Sequence, residues 1–262
     1  MSNIYINMRT SDSLLWRILR FFQFNRLYRM VIGLLPKSIV EIVSNITMKN
    51  VYMPLVDHNE IEPKYEMAWN ELRKHDVVLG DYLEFGVSRG HSMASMHRVI
   101  RKLKLDHVRL FGFDSFEGMP SSAAEEDYGT WKPGQFASAI EETKEFLTKF
   151  KVNWEKTHLI KGWFSDTLND QTAQNFGIQK ASVIMIDCDI YSASKTALDF
   201  CLPFITDNAI VFFDDWRDDI TFGEYKAYTE FLDENRHLRS DSLGAYEPTG
   251  RIFLVTNLRV KR

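Results

Sequence analysis

Cysteine is scarce in this chain, and other signals that classify a protein quickly are missing as well. Of its 262 residues only two are cysteine, Cys188 and Cys201, which is too few for a disulfide framework and not a metal-binding spacing. No apolar run reaches the roughly 18 residues of a membrane span. The net charge of −4 lacks the basic surplus of a nucleic-acid-binding protein. We therefore expect a reduced, cytoplasmic protein that does not bind nucleic acid.

Short apolar runs alternate with segments of helical periodicity from residue 81 onward. The runs that predict strands lie at 81–86, 108–114, 157–162, 181–187, 209–215 and 251–257. Helices are indicated between the first two runs and around 137–150, 166–176, 192–204 and 222–235. This alternation predicts an α/β fold with a mostly parallel sheet and helices covering it. We assign residues 81–262 to this domain and residues 1–80 to a helical N-terminal extension.

The extension contains one unusual segment, residues 13–35, in which four arginines are interleaved with five aromatic residues. A basic aromatic helix of this kind can lie on an anionic membrane surface. Packing against the rest of the protein or against a second subunit explains the same pattern. Both interpretations stay open here. We expect a homo-oligomer in the cytoplasm, with peripheral contact at the inner face of the membrane as the alternative use of this segment.

The first predicted strand runs into the turn LEFGVSRGHS, at the strand end where sheets of this type bind their ligands. Gly86 and Gly90 allow the backbone to turn tightly and to approach a ligand. Their G-x-x-x-G spacing is not the G-x-G-x-x-G dinucleotide fingerprint, which disfavours a nicotinamide-dependent oxidoreductase. Glu84, just before the turn, suits a cationic ligand better than a pyrophosphate. A plain strand-to-helix turn would explain the glycines equally well.

The next two predicted strands also end in residues suited to a nucleoside. Asp114 follows the second strand, where an acidic side chain can accept hydrogen bonds from ribose hydroxyls. Capping of the following turn is the alternative for this residue. Gly162 and Trp163 follow the third strand and are placed to flank a flat adenine ring, unless Trp163 is simply a core residue.

Paired carboxylates follow two further strands. Asp187 and Asp189 end the run VIMIDCD, and Asp214 and Asp215 end the run AIVFFDD. Carboxylate oxygens at adjacent strand ends are hard ligands that suit Mg²⁺ or Ca²⁺ better than Zn²⁺. Four such groups in one cleft repel one another unless a cation or a shared proton relieves them. Helix capping by some of them, Asp189 in particular, is the alternative.

These motifs together resemble a known family. YLEFGVSRGHS, FGFDSFEGMP, HLIKGWFSDTL, IDCDIYSASKTALDF and IVFFDDW are similar, in order and spacing, to the macrocin O-methyltransferase (TylF-like) family of class I S-adenosylmethionine-dependent enzymes. The resemblance covers roughly residues 80–235. It implies a Rossmann-like, seven-stranded sheet whose last strand, here RIFLVTN, is antiparallel.

The resemblance also implies roles for individual residues. Asp187, Asp214 and Asp215 match ligands of a divalent metal, usually Mg²⁺, and Asp189 matches the general base. The positions that fall in the cofactor-binding motifs are Glu84, Gly86, Val87, Gly90, Ser92, Asp114, Ser115, Gly162, Trp163 and Asp187. The chemistry is consistent with these roles, because a metal stabilises the alkoxide of a poorly ionised hydroxyl while a carboxylate removes its proton.

The implied acceptor is a hydroxyl of a sugar, a glycan or a natural-product glycoside. Residues 117–136, rich in Gly, Pro and Ser, would form a lid over it, with Tyr128 or Trp131 as a sugar platform. Two alternatives stay open. One is a methyltransferase-like binding protein without catalysis, which the intact acidic positions disfavour. The other is a metal-dependent methyltransferase for catechols or other phenols, which the same carboxylates would serve.

Overall fold

The computed structural model of the chain describes residues 7–8, 51–52, 57–217, 222–246 and 249–259. The chain divides into two compact units, Met1–Asp57 and His58–Arg262. In the first unit, strands β1 (Asn7–Met8) and β2 (Val51–Tyr52) form an antiparallel pair. The basic aromatic segment 13–35 lies outside the described residues.

A seven-stranded sheet forms the centre of the second unit. Its strands are β3 (Asp81–Phe85), β4 (Leu110–Asp114), β5 (Thr157–Lys161), β6 (Ala181–Ile186), β7 (Asn208–Phe213), β8 (Leu238–Tyr246) and β9 (Gly250–Asn257). The order across the sheet is β5-β4-β3-β6-β7-β9-β8. Strands β3 to β7 are parallel, and β9 runs antiparallel to both β7 and β8. The predicted class I methyltransferase sheet with an antiparallel last strand is confirmed.

Helices surround this sheet. They are α1 (His58–Lys74), α2 (His91–Lys102), α3 (Ile140–Lys149), α4 (Phe164–Thr167), α5 (Asp170–Phe176), α6 (Tyr191–Cys201) and α7 (Gly223–Glu234). Between β4 and α3, the loop of residues 117–136 contains only two short 3₁₀ turns, Ser121–Ala124 and Asp127–Gly129. Among the described residues, no helix combines the length and the apolar character that crossing a bilayer requires.

Helix α1 belongs to the sheet unit, although the sequence suggested a division near residue 80. Its side chains Tyr65 and Trp69 are fully buried, and the Trp69 indole N–H donates to the sulfur of Met96 on α2 at 3.2 Å. Arg98 of α2 pairs with Glu62 at 2.6 Å. Because the apolar face of α1 covers part of the core, the structure places the division at residues 57 and 58.

The central strands are buried over their whole length, as β3, β6 and β7 show. Strand β8 is different, because most of its LRSDSLGAY side chains are partly or fully exposed and only β9 pairs with it. Such an edge strand carries little apolar signal, and the apolar runs of the sequence did not reveal it. The chain order reverses between β3 and β6, which creates the crevice where open α/β sheets bind their ligands.

Candidate active site

The turn after β3 approaches the end of β6 closely. Gly86 has φ = 91°, and a Cβ atom added to it would lie 1.7 Å from the carbonyl oxygen of Asp187. The Asp187 N–H donates to the carbonyl of Phe85 at 2.9 Å. Gly90, the residue before α2, has φ = 82°. Only glycine fits at position 86, which brings the glycine turn and the first acidic strand end together.

Asp114 holds this turn in place. Its Oδ2 accepts the N–H groups of Val87 at 2.8 Å and Ser88 at 2.7 Å, and its Oδ1 accepts the Phe116 N–H at 2.6 Å. The turn-capping alternative therefore describes what the carboxylate does in this structure. Each carboxylate oxygen can accept about two hydrogen bonds, so Oδ1 retains one position for a further donor.

Glu84 lies buried in the middle of the sheet beneath the turn. The hydroxyls of Ser92 and Tyr82 donate to its two oxygens at 2.5 and 2.6 Å. Burial raises the pKa of Glu84 to about 7, and these two hydrogen bonds oppose that rise. Ser92 therefore contacts Glu84 directly, at the first turn of α2.

The residues after β4 and β5 shape the neighbouring part of the edge. The Ser115 hydroxyl accepts the Glu117 N–H at 3.1 Å and donates to the Gly118 carbonyl at 3.2 Å. Gly162 donates its N–H to the Asp114 carbonyl at 3.0 Å. Trp163 is half-buried and lies outside the buried core, directly before α4. The residues predicted for cofactor binding thus lie near the carboxyl ends of β3 to β6 or in the turns and first helical residues that follow them.

Three carboxylates meet at the ends of β6 and β7. One oxygen each from Asp187, Asp214 and Asp215 lies within 4.8 Å of the other two. Burial, followed by the charges of Asp214 and Asp215, raises the pKa of Asp187 well above its usual range. Burial and the charge of Asp215 raise the pKa of Asp214 to about 7. Such mutual repulsion between hard oxygen ligands fits a divalent cation.

Asp189 stands beside this cluster. Its backbone is left-handed, with φ = 63°, which is strained for a residue other than glycine. Its side chain lies against that of Asp215, an interaction that favours the protonated form of Asp189 and the ionised form of Asp215. Burial and the charge of Asp215 raise the pKa of Asp189 well above its usual range. Strain of this kind is found at functional sites more often than elsewhere.

Glu224 is the acidic residue of this site that the sequence did not reveal. It lies in the first turn of α7 and is fully buried. The Asp215 N–H donates to its Oε2 at 3.0 Å, whereas Oε1 has no hydrogen-bond partner among the described residues. An acidic residue in the first turn of a helix is common, because it favours the helix dipole. Only its position shows that Glu224 faces the acidic cluster.

Asp127 links the loop of residues 117–136 to the helices that follow β6 and β7. Its Oδ2 accepts the Tyr191 N–H at 3.0 Å and its Oδ1 accepts the Gly223 N–H at 2.9 Å, at the starts of α6 and α7. Next to it, Tyr128 is 80% exposed and its ring lies parallel to that of Phe222, with centroids 5.9 Å apart. Trp131, in contrast, is buried within the loop and does not offer an open ring face.

A family model supplies the decisive comparison. Residues 64–241, more than half of the chain, match the model described as "Macrocin-O-methyltransferase (TylF)". The chain belongs to this family. The resemblance predicted from the motifs is confirmed.

Two curated relatives of the family come from Streptomyces. The chain is 29% identical over 150 residues to the "8-demethyl-8-(2,3-dimethoxy-alpha-L-rhamnosyl)-tetracenomycin-C 4'-O-methyltransferase" of Streptomyces olivaceus, which covers 55% of this chain and 56% of the relative. It is 27% identical over 169 residues to the "Demethyldecarbamoylnovobiocin O-methyltransferase" of Streptomyces niveus, covering 60% of this chain and 62% of the relative. The chain thus matches less than two thirds of the length of these curated relatives.

Two solved structures share the fold of this chain. The O-methyltransferase NovP superimposes with a TM-score of 0.62 and 19% identity, over 73% of this chain and 78% of NovP. The calicheamicin methyltransferase CalS11 superimposes with a TM-score of 0.57 and 19% identity, over 73% of this chain and 77% of CalS11. Both similarities support the class I methyltransferase architecture.

Proposed function

We propose that this protein is an S-adenosylmethionine-dependent O-methyltransferase that requires a divalent cation and acts on a hydroxyl of a sugar. The acidic cluster of Asp187, Asp214 and Asp215 carries this proposal. It lies at the strand ends, in backbone contact with the glycine turn through Gly86 and Asp187. A cofactor held by the turn and a cation held by the cluster would therefore be neighbours.

The residues around the turn have properties that suit the cofactor. The open acceptor position on Asp114 Oδ1 suits a ribose hydroxyl, and the ring of Trp163 suits an adenine. The buried carboxylate of Glu84 lies beneath the turn and favours the positively charged part of the cofactor. Bound S-adenosylmethionine supplies an activated methyl group, so the protein has mainly to align the acceptor oxygen with it.

The acidic residues would activate the acceptor. Asp187, Asp214 and Asp215 would hold Mg²⁺ or a similar cation, which stabilises an ionised hydroxyl by Lewis-acid chemistry. A carboxylate oxygen of Asp189 then takes the hydroxyl proton. Its side chain lies against that of Asp215, which would keep it close to a hydroxyl bound at the cluster. Asp189 is thus the residue that we propose as general base.

Two observations support a sugar as the acceptor. The curated relatives are named for methylation of a rhamnosyl tetracenomycin and of a novobiocin precursor. On this chain, the exposed ring of Tyr128 lies at the rim of the site, one residue from the contact between Asp127 and Gly223. An exposed aromatic ring suits the apolar face of a sugar. A catechol would also suit the acidic cluster, so phenols belong in the acceptor screen.

Several features of the wider molecule remain expectations. The sheet domain is proposed to be the methyltransferase domain, and the residues before it are proposed to form a separate N-terminal extension. Residues 13–35 are proposed to contact a second subunit or an anionic membrane surface at the cytoplasmic side. Light scattering of the purified protein and co-sedimentation with vesicles of anionic and neutral lipid would distinguish these uses.

The proposal is tested by calorimetric titration of S-adenosylmethionine with and without Mg²⁺. We expect saturable 1:1 binding. Transfer of labelled methyl groups to glycosides, nucleotide sugars and catechols is then measured with Mg²⁺ and with EDTA. Transfer to a sugar that stops with EDTA is the expected result. Absence of cofactor binding would overturn the proposal, while transfer to catechols alone would replace its acceptor class.

A further inference from the structure

Glu224 occupies an unusual position for a carboxylate. It is fully buried, and none of the ion pairs in the described part of the chain involves it. Its acidic neighbours include Asp215 and Asp214, whose charges, after burial, raise the pKa of Glu224 well above its usual range. Burying a carboxylate among others is unfavourable, so the position of Glu224 calls for a physical reason.

The contacts of Glu224 and the residue before it reach both strand ends that carry the acidic cluster. The Asp215 N–H, just past β7, donates to Oε2 at 3.0 Å. The residue before Glu224, Gly223, packs against the segment that follows β6, next to the backbone of Asp189. The first two residues of α7 therefore contact both of the separate segments whose spacing determines the geometry of the cluster.

The backbone that carries Glu224, at the start of α7, is held in place by its own contacts. The preceding residue, Gly223, donates its N–H to Asp127 at 2.9 Å. Gly223 has φ = 49°, and a Cβ atom at this position would lie 3.3 Å from the carbonyl oxygen of Asp189. The start of α7 is thus packed closely against the segment that carries the proposed base, which leaves the Glu224 side chain little freedom.

We propose that Glu224 is a positioning residue that holds the ends of β6 and β7 at the spacing the divalent cation requires. This inference rests on the proposed metal dependence. Glu224 does not belong to the three-carboxylate cluster and acts through its neighbours. Its Oε1 has no partner among the described residues and therefore retains acceptor capacity for a water molecule of the hydrated cation.

Manganese binding tests this role without knowledge of the acceptor. Mn²⁺ is titrated into the full-length wild-type protein and the E224A and E224Q variants, and free Mn²⁺ is followed by electron paramagnetic resonance. Loss of a group that orients metal ligands typically costs 10- to 100-fold in affinity, and we expect a loss of about that size for E224A. We expect a smaller loss for E224Q, because the amide oxygen of glutamine can still accept the Asp215 N–H.

The controls separate positioning from general damage. Affinity for S-adenosylmethionine and the melting temperature of E224Q should stay near the wild-type values. E234Q, at the exposed end of the same helix, should bind Mn²⁺ like the wild type. If E224A does not fold, E224D replaces it, because it keeps the charge but shortens the side chain and should also weaken Mn²⁺ binding.

Two results would overturn the inference, and they differ. Wild-type affinity for Mn²⁺ in E224A, or in both E224Q and E224D, would remove the positioning role and leave the proposed function intact. Absence of Mn²⁺ binding by the wild-type protein itself would overturn the metal dependence and the inference with it.

Discussion

Among the described residues, acidic side chains are paired with basic ones at the amino end of the sheet but not at the carboxyl end. At the amino end, Asp81 is 6% exposed and receives two hydrogen bonds from the guanidinium group of Arg109, at 3.0 and 2.6 Å. Lys180 likewise pairs with Asp207. At the carboxyl end, none of the ion pairs in the described ranges reaches the acidic cluster or Glu224. The same sheet thus contains compensated and uncompensated buried acids.

This difference separates acids that maintain the fold from acids that we propose bind a cation. A buried carboxylate paired with arginine needs nothing further, because the partner offsets the loss of solvation. Buried carboxylates that lie beside one another without an ion pair raise the free energy of the folded protein unless protons or a cation bind. Groups with strongly shifted pKa values in such an arrangement are candidates for function. The contrast lies within one sheet, so each end serves as the control for the other.

Replacing one acid at each end gives the largest expected effects and tests the contrast directly. Asp214→Asn should abolish Mn²⁺ binding and measurable methyl transfer, and at pH 8 it should raise the melting temperature of the metal-free protein because it removes repulsion. Asp81→Asn should leave Mn²⁺ binding intact and lower stability by about 2 kcal/mol, because it weakens a charged hydrogen-bonded pair. Thermal and chemical denaturation with metal titration measure both. Destabilisation of the metal-free protein by Asp214→Asn would remove the contrast.

Asp189→Asn should affect turnover alone. Losing a general base typically costs 10²- to 10⁴-fold in rate, and we expect kcat to fall within that range. The affinities for S-adenosylmethionine and Mn²⁺ should stay close to wild type, because Asp189 lies outside the three-carboxylate cluster. Steady-state kinetics with the acceptor found by screening provide the measurement. Wild-type kcat in this variant would exclude Asp189 as the base.

The stability of the folded protein should depend on pH because of the carboxylates at the carboxyl end of the sheet, and testing this requires no mutation. The pKa of Asp214 is raised from 3.8 to about 7, so the folded protein binds a proton that the unfolded chain releases near pH 4. This contribution to stability is complete below about pH 4 and is lost as the pH rises through about 7. Because Mg²⁺ requires the deprotonated acids, its stabilising effect should be larger at pH 8 than at pH 6. Equal shifts of the melting temperature at both pH values would contradict this.

The loop should show a smaller, local effect. Asp127→Ala removes the acceptor for the first N–H groups of α6 and α7, so we expect a loss of about 1–2 kcal/mol. Hydrogen exchange should accelerate in residues 117–136. Glu125→Gln, an exposed position two residues earlier, serves as the matched control and should change neither quantity. Unchanged exchange in the Asp127 variant would show that the loop is held by its apolar contacts instead.

The sequence predicted most of the fold because the central strands are continuous apolar runs. It also predicted that the carboxylates of Asp187, Asp214 and Asp215 come together, since residues directly after neighbouring parallel strands meet at the same end of the sheet. It did not reveal β8, whose side chains are mostly exposed, or the role of Glu224. That residue is brought to the cluster by the entry of α7 from a loop, and its position depends on contacts of Asp127 some 100 residues earlier in the chain. The ring of Trp131 proved to be buried for a similar reason, because the loop packs on itself.

The antiparallel strand β9 has a consequence for the order in which the site can form. It inserts between β7 and β8, pairing Asn208 with Thr256 and Phe213 with Arg251. The hydroxyl of Tyr246 donates to the carbonyl of Phe213, and that of Thr249 to the carbonyl of Asp214. During vectorial synthesis, the segment that supplies the cofactor turn emerges long before these partners. A nascent chain that ends before residue 246 would therefore have the glycine turn but would lack the contacts that hold the end of β7, where Asp214 and Asp215 lie.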